Sequence, residues 1–133
     1  MMGEEDPATR RARRGLAAMM VGSGALHFAV PSTYVKIVPR WLGDRRRVVL
    51  VSGALEVAAG GLLLSRRTRR AGGWLTAALL VAVFPANVQM VLDAGTEHQA
   101  APNVPAPLFR AAGLARLPGQ VPMIRRALRV ARS

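Results

Sequence analysis

The sequence predicts an all-α fold, an integral membrane four-helix bundle with both termini cytoplasmic. Three observations carry this expectation. Hydrophobic residues make up 51% of 133 positions, yet 19 Lys and Arg face 7 Asp and Glu, for a net charge of +12. The basic residues stand in tight blocks, "RRARR" (Arg10–Arg14), "RRR" (Arg45–Arg47), "RRTRR" (Arg66–Arg70) and "RRALRVAR" (Arg125–Arg132). Long apolar stretches separate those blocks, as in membrane proteins whose loops carry the charge. A soluble nucleic-acid binder would instead spread its charge over a face interleaved with stacking aromatics. With two Trp, one Tyr and three Phe the chain offers few, so no nucleic-acid partner is expected. The absence of cysteine excludes disulfides, thiol redox chemistry and zinc–thiolate sites.

Residues 1–14 read as a basic cytoplasmic tail, residues 15–124 as the four-helix transmembrane domain and residues 125–133 as a second basic tail. Gly15–Val30 and Val48–Leu64 each lie near the short limit for crossing a hydrocarbon core of about 30 Å. Gly72–Leu92 is comfortably long enough. Leu108–Ile124 is the polar member, because it holds Arg110, Arg116 and two prolines. With four spans, the arginines of the N-terminal tail, the 66–70 loop and the C-terminal tail share one side. The other side receives only Lys36, Arg40 and Arg45–Arg47, and the loop "DAGTEHQAAPNVPAP" adds no basic residue. This bias makes both termini cytoplasmic. "RRARR" before an apolar run also resembles the start of a signal peptide, but no small-x-small cleavage site stands near "LHFAVPS". The first loop, "PSTYVKIVPRWLGDRRR", mixes Tyr34, Ile37, Val38, Trp41 and Leu42 with charge, as an interfacial segment does.

Within the spans, polar residues stand out. A helical rise of 1.5 Å per residue puts His27 about 4–5 Å below the outer surface, and Glu56 and Arg116 each about 12 Å below it. Asn87 falls about 7–8 Å deep and Gln120 about 18 Å deep on the same scale. A carboxylate in hydrocarbon must be paired or neutralised, and Arg116 is expected to hold Glu56 through two parallel hydrogen bonds. Gly53, Glu56 and Gly60 share one helix face, and small residues on it permit close backbone approach. Met20, Ser23, Gly24 and His27 form the comparable face of the first span. Pro85 breaks the third span and frees a carbonyl, with Asn87 supplying an amide just beyond. His27, Glu56, Asn87, Arg116 and Gln120 are therefore the candidate binding residues. The bland alternative is that they fix helix register. His98, in a polar loop, reads as solvated, and two distant histidines without cysteine predict no metal site. A haem ligated by His27 lacks any attachment motif.

"GALHF" (Gly24–Phe28), "YVKIVP" (Tyr34–Pro39), "SGALE" (Ser52–Glu56), "RRAGGWL" (Arg69–Leu75), "FPANVQM" (Phe84–Met90) and "RLPGQ" (Arg116–Gln120) occur in this order. Together they resemble the DoxX-like family of small bacterial integral membrane proteins over roughly Gly15 to Ile124. The resemblance implies a four-helix transmembrane bundle in the bacterial inner membrane and a link to quinone-reducing redox metabolism. The chain departs from it after "RLPGQ", where "RRALRVARS" replaces an apolar continuation and bears on how far the last helix extends. A redox-associated membrane subunit that binds a quinone-like or other lipophilic ligand is the first expectation, with the bilayer, an oxidoreductase subunit and a second copy of the chain as partners. A non-catalytic assembly protein is the alternative, and a small transporter or proton path the third. No catalytic residue is assigned.

Overall fold

The first helix begins where the chain supplies its own cap. In a computed structural model, which describes residues 4–133, Asp6 accepts a hydrogen bond from Thr9 N at 3.1 Å and Pro7 occupies the first helical position. A side-chain acceptor and a residue without an N–H suit the unsatisfied donors of a helix start. The described residues then form α1 (Pro7–Ala29), α2 (Pro31–Ile37), α3 (Arg45–Leu64), α4 (Arg69–Ala82), α5 (Phe84–Leu92) and α6 (Ala106–Arg132), with a 3-10 turn at Arg40–Leu42. No strand occurs among them. The all-α expectation therefore holds.

Residues 7–14, read as a tail from the sequence, form the first turns of α1, and residues 125–132 form the last turns of α6. The third apolar stretch is broken at Val83, two residues before Pro85, into α4 and α5. Two helical stretches are long and apolar enough to cross a membrane: Arg45–Leu64, mean hydropathy 1.7, and Arg69–Leu92, mean hydropathy 1.9. The pair α1 and α2 qualifies as a third, bent by 101°. Helix α6 is long, but Arg110, Arg116 and the arginines from Arg125 onward dilute its apolar content.

The long helices pack in a ring, α1 on α3, α3 on α4, α4 on α6 and α6 on α1, with a smaller contact between α1 and α4. The α1–α3 contact is made through glycine. A Cβ on Gly24 would stand 2.6 Å from Gly53 O, and one on Gly53 would stand 2.6 Å from His27 Cβ. Gly60 meets Val21 and the Ala17 carbonyl in the same way. Gly53, Glu56 and Gly60 thus form the packed face that their spacing predicts, and Met20, Gly24 and His27 are buried opposite.

The interior mixes small and polar side chains with its apolar core, while many large apolar side chains face outward. Glu56, Thr76, Asn87, Gln120 and His27 are buried, whereas Leu26, Phe28, Leu55, Trp74, Val81, Leu92 and Leu114 are exposed. A water-soluble bundle of this size would bury such large apolar side chains, and so wide an oily exterior is suited to contact with lipid.

One end gathers three of the four basic blocks, and Arg45–Arg47 start α3 at the other. Arg13 Nη1 donates to Leu63 O at 2.6 Å and Leu64 O at 2.9 Å, satisfying the last carbonyls of α3. Its other nitrogens grip the Glu5 carboxylate, at 2.8 Å from Nε and 3.1 Å from Nη2. Arg66 stands 3.9 Å from the same carboxylate. Arg69 Nε donates to Ser133 Oγ at 3.0 Å and Arg70 Nε to Ser133 O at 2.7 Å. The start of α1, the α3–α4 turn and the C-terminus therefore share an end.

Hydrogen bonding from Arg13 holds the Glu5 carboxyl below its ordinary 4.5; burial opposes this, and the charges of Arg13, Arg69 and Arg66 reinforce it. A lowered folded-state value means that the stabilisation is fully present above about pH 4.5 and is lost as pH falls through the folded value. Thermal melts in mild detergent across that window are expected to show an acid loss that Glu5→Gln flattens; an unchanged profile would refute the linkage. Gly24→Ala is expected to cost about 1–3 kcal/mol by overpacking α1 against α3. Gly22→Ala, where an added Cβ meets nothing within 4 Å, serves as the control and should melt like the wild type.

Candidate functional site

Glu56 lies at the centre of α3, 6% exposed, and the structure does not pair it with Arg116. The nearest charged partner is His27, whose Nδ1 stands 3.6 Å from Glu56 Oε2. That separation is too long for a hydrogen bond, and Oε2 has no hydrogen-bond partner among the described residues. His27 Nδ1 lies 2.7 Å from Ser23 O. A carbonyl only accepts, so Nδ1 carries a proton and donates it to Ser23 O. The bond fixes the ring and leaves Nε2 as an acceptor when the imidazole is neutral.

Close packing explains the pairing. Gly53 stands against His27 Cβ, and Gly24 against the Gly53 carbonyl and Val57, so the α1 and α3 backbones touch between His27 and Glu56. Side chains on so close an interface meet although the two residues stand about a turn apart along the axis.

Arg116 is exposed on α6, and its Nη1 stands 3.9 Å from Met90 Sδ, a weak contact. It forms no ion pair among the described residues. The ring of Tyr34 stacks on His27 with centroids 4.0 Å apart and planes at 24°. The sequence marked Tyr34 only as an interfacial anchor. The sharp bend between α1 and α2 folds it back over His27.

Asn87 and Met90 are the buried residues of α5. Asn87 serves the α4–α5 break only through its backbone N–H, which donates to Val83 O at 3.1 Å. Gln120 serves it from α6, its side-chain Nε2 donating to Leu80 O at 2.9 Å. Leu80 lies in the last turn of α4, where carbonyls lack intrahelical partners. Gln120 Oε1 and Thr76 Oγ1 are buried without hydrogen-bond partners, as is Glu56 Oε2. These three oxygens come from three different helices, and all can accept a hydrogen bond. Thr76 carries no signal in the sequence, because a threonine in an apolar helix is unremarkable until its burial is known.

Of the five candidates, the structure brings His27 and Glu56 together with Tyr34, buries Gln120 and Asn87 on other helices, and leaves Arg116 at the rim. His98 is exposed, 3.5 Å from Glu97. Among the described residues, no three His, Asp or Glu side chains cluster as a metal site. Two open depressions lie elsewhere, one along Arg10, Arg11 and Arg14 and one beside the loop Gly95–Ala106.

A family model matches residues 16–131, from the first turns of α1 almost to the end of α6. The chain belongs to the family described as Domain of unknown function (DUF8561). No curated protein and no solved structure matches it. The DUF8561 match contains all five candidate residues, together with Tyr34 and Thr76, while Glu5 and Arg13 precede it.

In this DUF8561 chain the partner of Glu56 separates two readings of its burial. His27→Ala, which removes the facing nitrogen and the ring stacked on Tyr34, is expected to lower stability by about 2–3 kcal/mol. Arg116→Gln should remain within about 0.5 kcal/mol of the wild type in the same detergent melts. Equal losses would restore the Glu56–Arg116 pair.

Proposed function

We propose that the chain is a DoxX-like four-helix bundle of the bacterial inner membrane, with both termini cytoplasmic, that receives a lipophilic ligand at the His27–Glu56–Tyr34 site. Convergence of three of the four basic blocks at one end supports the orientation, since positive charge favours the cytoplasmic side. An exposed Trp41 at one end and an exposed Trp74 near the other suit the two interfaces. The ordered motifs from "GALHF" to "RLPGQ" support the DoxX likeness, and α6 takes the place of the fourth span.

The observation that carries the ligand reading is Glu56 Oε2, buried with no hydrogen-bond donor among the described residues. Such an atom costs free energy until a donor reaches it. A quinone-like head in its hydroxyl form supplies that donor, and its apolar tail matches the oily exterior of the helices. When bound, the ligand would supply two-electron redox chemistry to a partner oxidoreductase subunit. Glu56 would accept the head's hydrogen bond. His27, held by Ser23 O, would offer Nε2 beside it, and Tyr34 would shield the pair from the aqueous end. Gln120, Asn87 and Arg116 would shape the approach from α5 and α6.

The reading as a non-catalytic assembly protein is favoured by a different observation. Glycine contacts close the α1–α3 interface tightly, and the two open depressions lie away from Glu56. In that case the polar residues fix helix register, as buried polar groups do in some bundles. A proton path through Glu56 ranks third.

Purification in mild detergent followed by lipid extraction separates the first two. Retained quinone, together with a rise in melting temperature on adding ubiquinol-type ligand that Glu56→Gln abolishes, is the expected result. No retained quinone and no shift, with Glu56→Gln lowering folded yield alone, would assign the residue to architecture.

A further inference from the structure

The arginines of α1 divide into two sets. Arg13 is buried and committed to Glu5 and the end of α3, and Arg10 also turns to Glu5, its Nη2 donating to Glu5 O at 3.4 Å and its Nε 3.8 Å from the carboxylate. Arg11 and Arg14 are exposed and hold no carboxylate among the described residues. With Pro7, Arg10 and Gly15 they line an open depression of about 560 Å³. Of the nearby acids, Glu5 is gripped by Arg13, while Asp6, which accepts from Thr9 N and Thr9 Oγ1, and Glu4 are exposed. Among the described residues these two carboxylates offset only part of the local positive charge.

The depression continues into the apolar part of α1. Gly15, Ala18, Gly22 and Ala25 are all exposed and recur every three or four residues, so they form one line along the helix. An added Cβ at Gly15 or Gly22 would meet nothing within 4 Å. A smooth track of small residues therefore leads from a nest of guanidinium groups down the outside of the helix.

We propose that this surface binds an anionic phospholipid of the surrounding bilayer, with its phosphate on Arg11 and Arg14 beside the Glu5-paired Arg10 and an acyl chain along the Gly15–Ala25 track. Guanidinium groups pair with phosphate through parallel hydrogen bonds, which an ammonium cannot reproduce. The charge is complementary, and head and tail lie in the order that a lipid at the cytoplasmic interface presents them. A nucleic acid would gain nothing from the apolar track. The inference rests on the membrane reading above, though not on the ligand assigned to Glu56.

The test uses the full chain, first washed as membranes in alkaline carbonate and then purified in mild detergent. Phosphatidylglycerol and phosphatidylcholine are titrated separately, with melting temperature and native mass spectrometry as readouts. Phosphatidylglycerol is expected to bind preferentially and raise the melting temperature. The double variant Arg11→Gln/Arg14→Gln should weaken that binding about ten-fold or more, each arginine near the surface contributing on the order of 1 kcal/mol. Arg46→Gln/Arg47→Gln, an equal loss of charge at the other end, should leave it unchanged. If the first double variant does not fold, Gly22→Leu blocks the track without touching the charges and should reduce bound phosphatidylglycerol in the mass spectrum.

Equal affinity for the two lipids, or equal weakening by both double variants, would overturn the site. So would efficient disulfide cross-linking of Gly22→Cys between copies, which would give the track to a second chain. Release of the protein by carbonate alone would refute the membrane reading instead.

Discussion

The close approach of α1 and α3 sets the geometry on which the rest of the molecule depends. Two glycines, Gly24 and Gly53, bring the backbones together where any side chain would collide with a carbonyl or a Cβ. The contact fixes the vertical register of the two helices, and register decides which polar groups meet in the interior. At one end it leaves the His27 ring opposite Glu56. At the other it leaves the α3 carbonyls within reach of Arg13. One packing choice therefore governs a partly satisfied acid inside the bundle and a fully satisfied acid at its edge.

The two acids illustrate opposite solutions to burial. Glu5 is surrounded by arginine, with two hydrogen bonds from a single guanidinium and further positive charge nearby. Glu56 has one imidazole nitrogen at a distance too great for a hydrogen bond. A structural carboxylate needs the first arrangement, whereas a carboxylate that takes a changing partner needs one oxygen left open. The fold provides both, some four helical turns apart along α1 when judged from their partners Arg13 and His27, at about 3.6 residues per turn.

Much of this architecture can be read from the residues themselves. The spacing of Gly53, Glu56 and Gly60 shows a face suited to close packing, and the face is used as the spacing predicts. Blocks of arginine mark segments that meet at one end, because charge of one sign collects where the apolar spans stop. The partner of Glu56 is less legible. Depth counted along each helix gives levels but not neighbours, and α3 packs its Glu56 face on α1 and makes no contact with α6, which carries Arg116. Tyr34 is hidden for a similar reason, since a 101° bend between α1 and α2 cannot be inferred from a loop that also reads as an interfacial anchor. Glu5 and Arg13 are obscured by composition: a short run with four arginines looks like a solvated tail until the fold shows which of them turns inward.

The joint between α4 and α5 follows from the bond that Gln120 makes with Leu80. A carbonyl at a broken helix is ordinarily served by water or by the next turn of its own chain. Here the donor is a side chain on α6, so a third helix is tied to the break. The nine residues of α5 stay joined to α4 through Val83, whose N–H donates to Leu79 O at 2.9 Å and whose carbonyl accepts from Asn87 N at 3.1 Å, and they rest against α2 and α6. Any tilt of α5 is therefore transmitted to its neighbours on both sides.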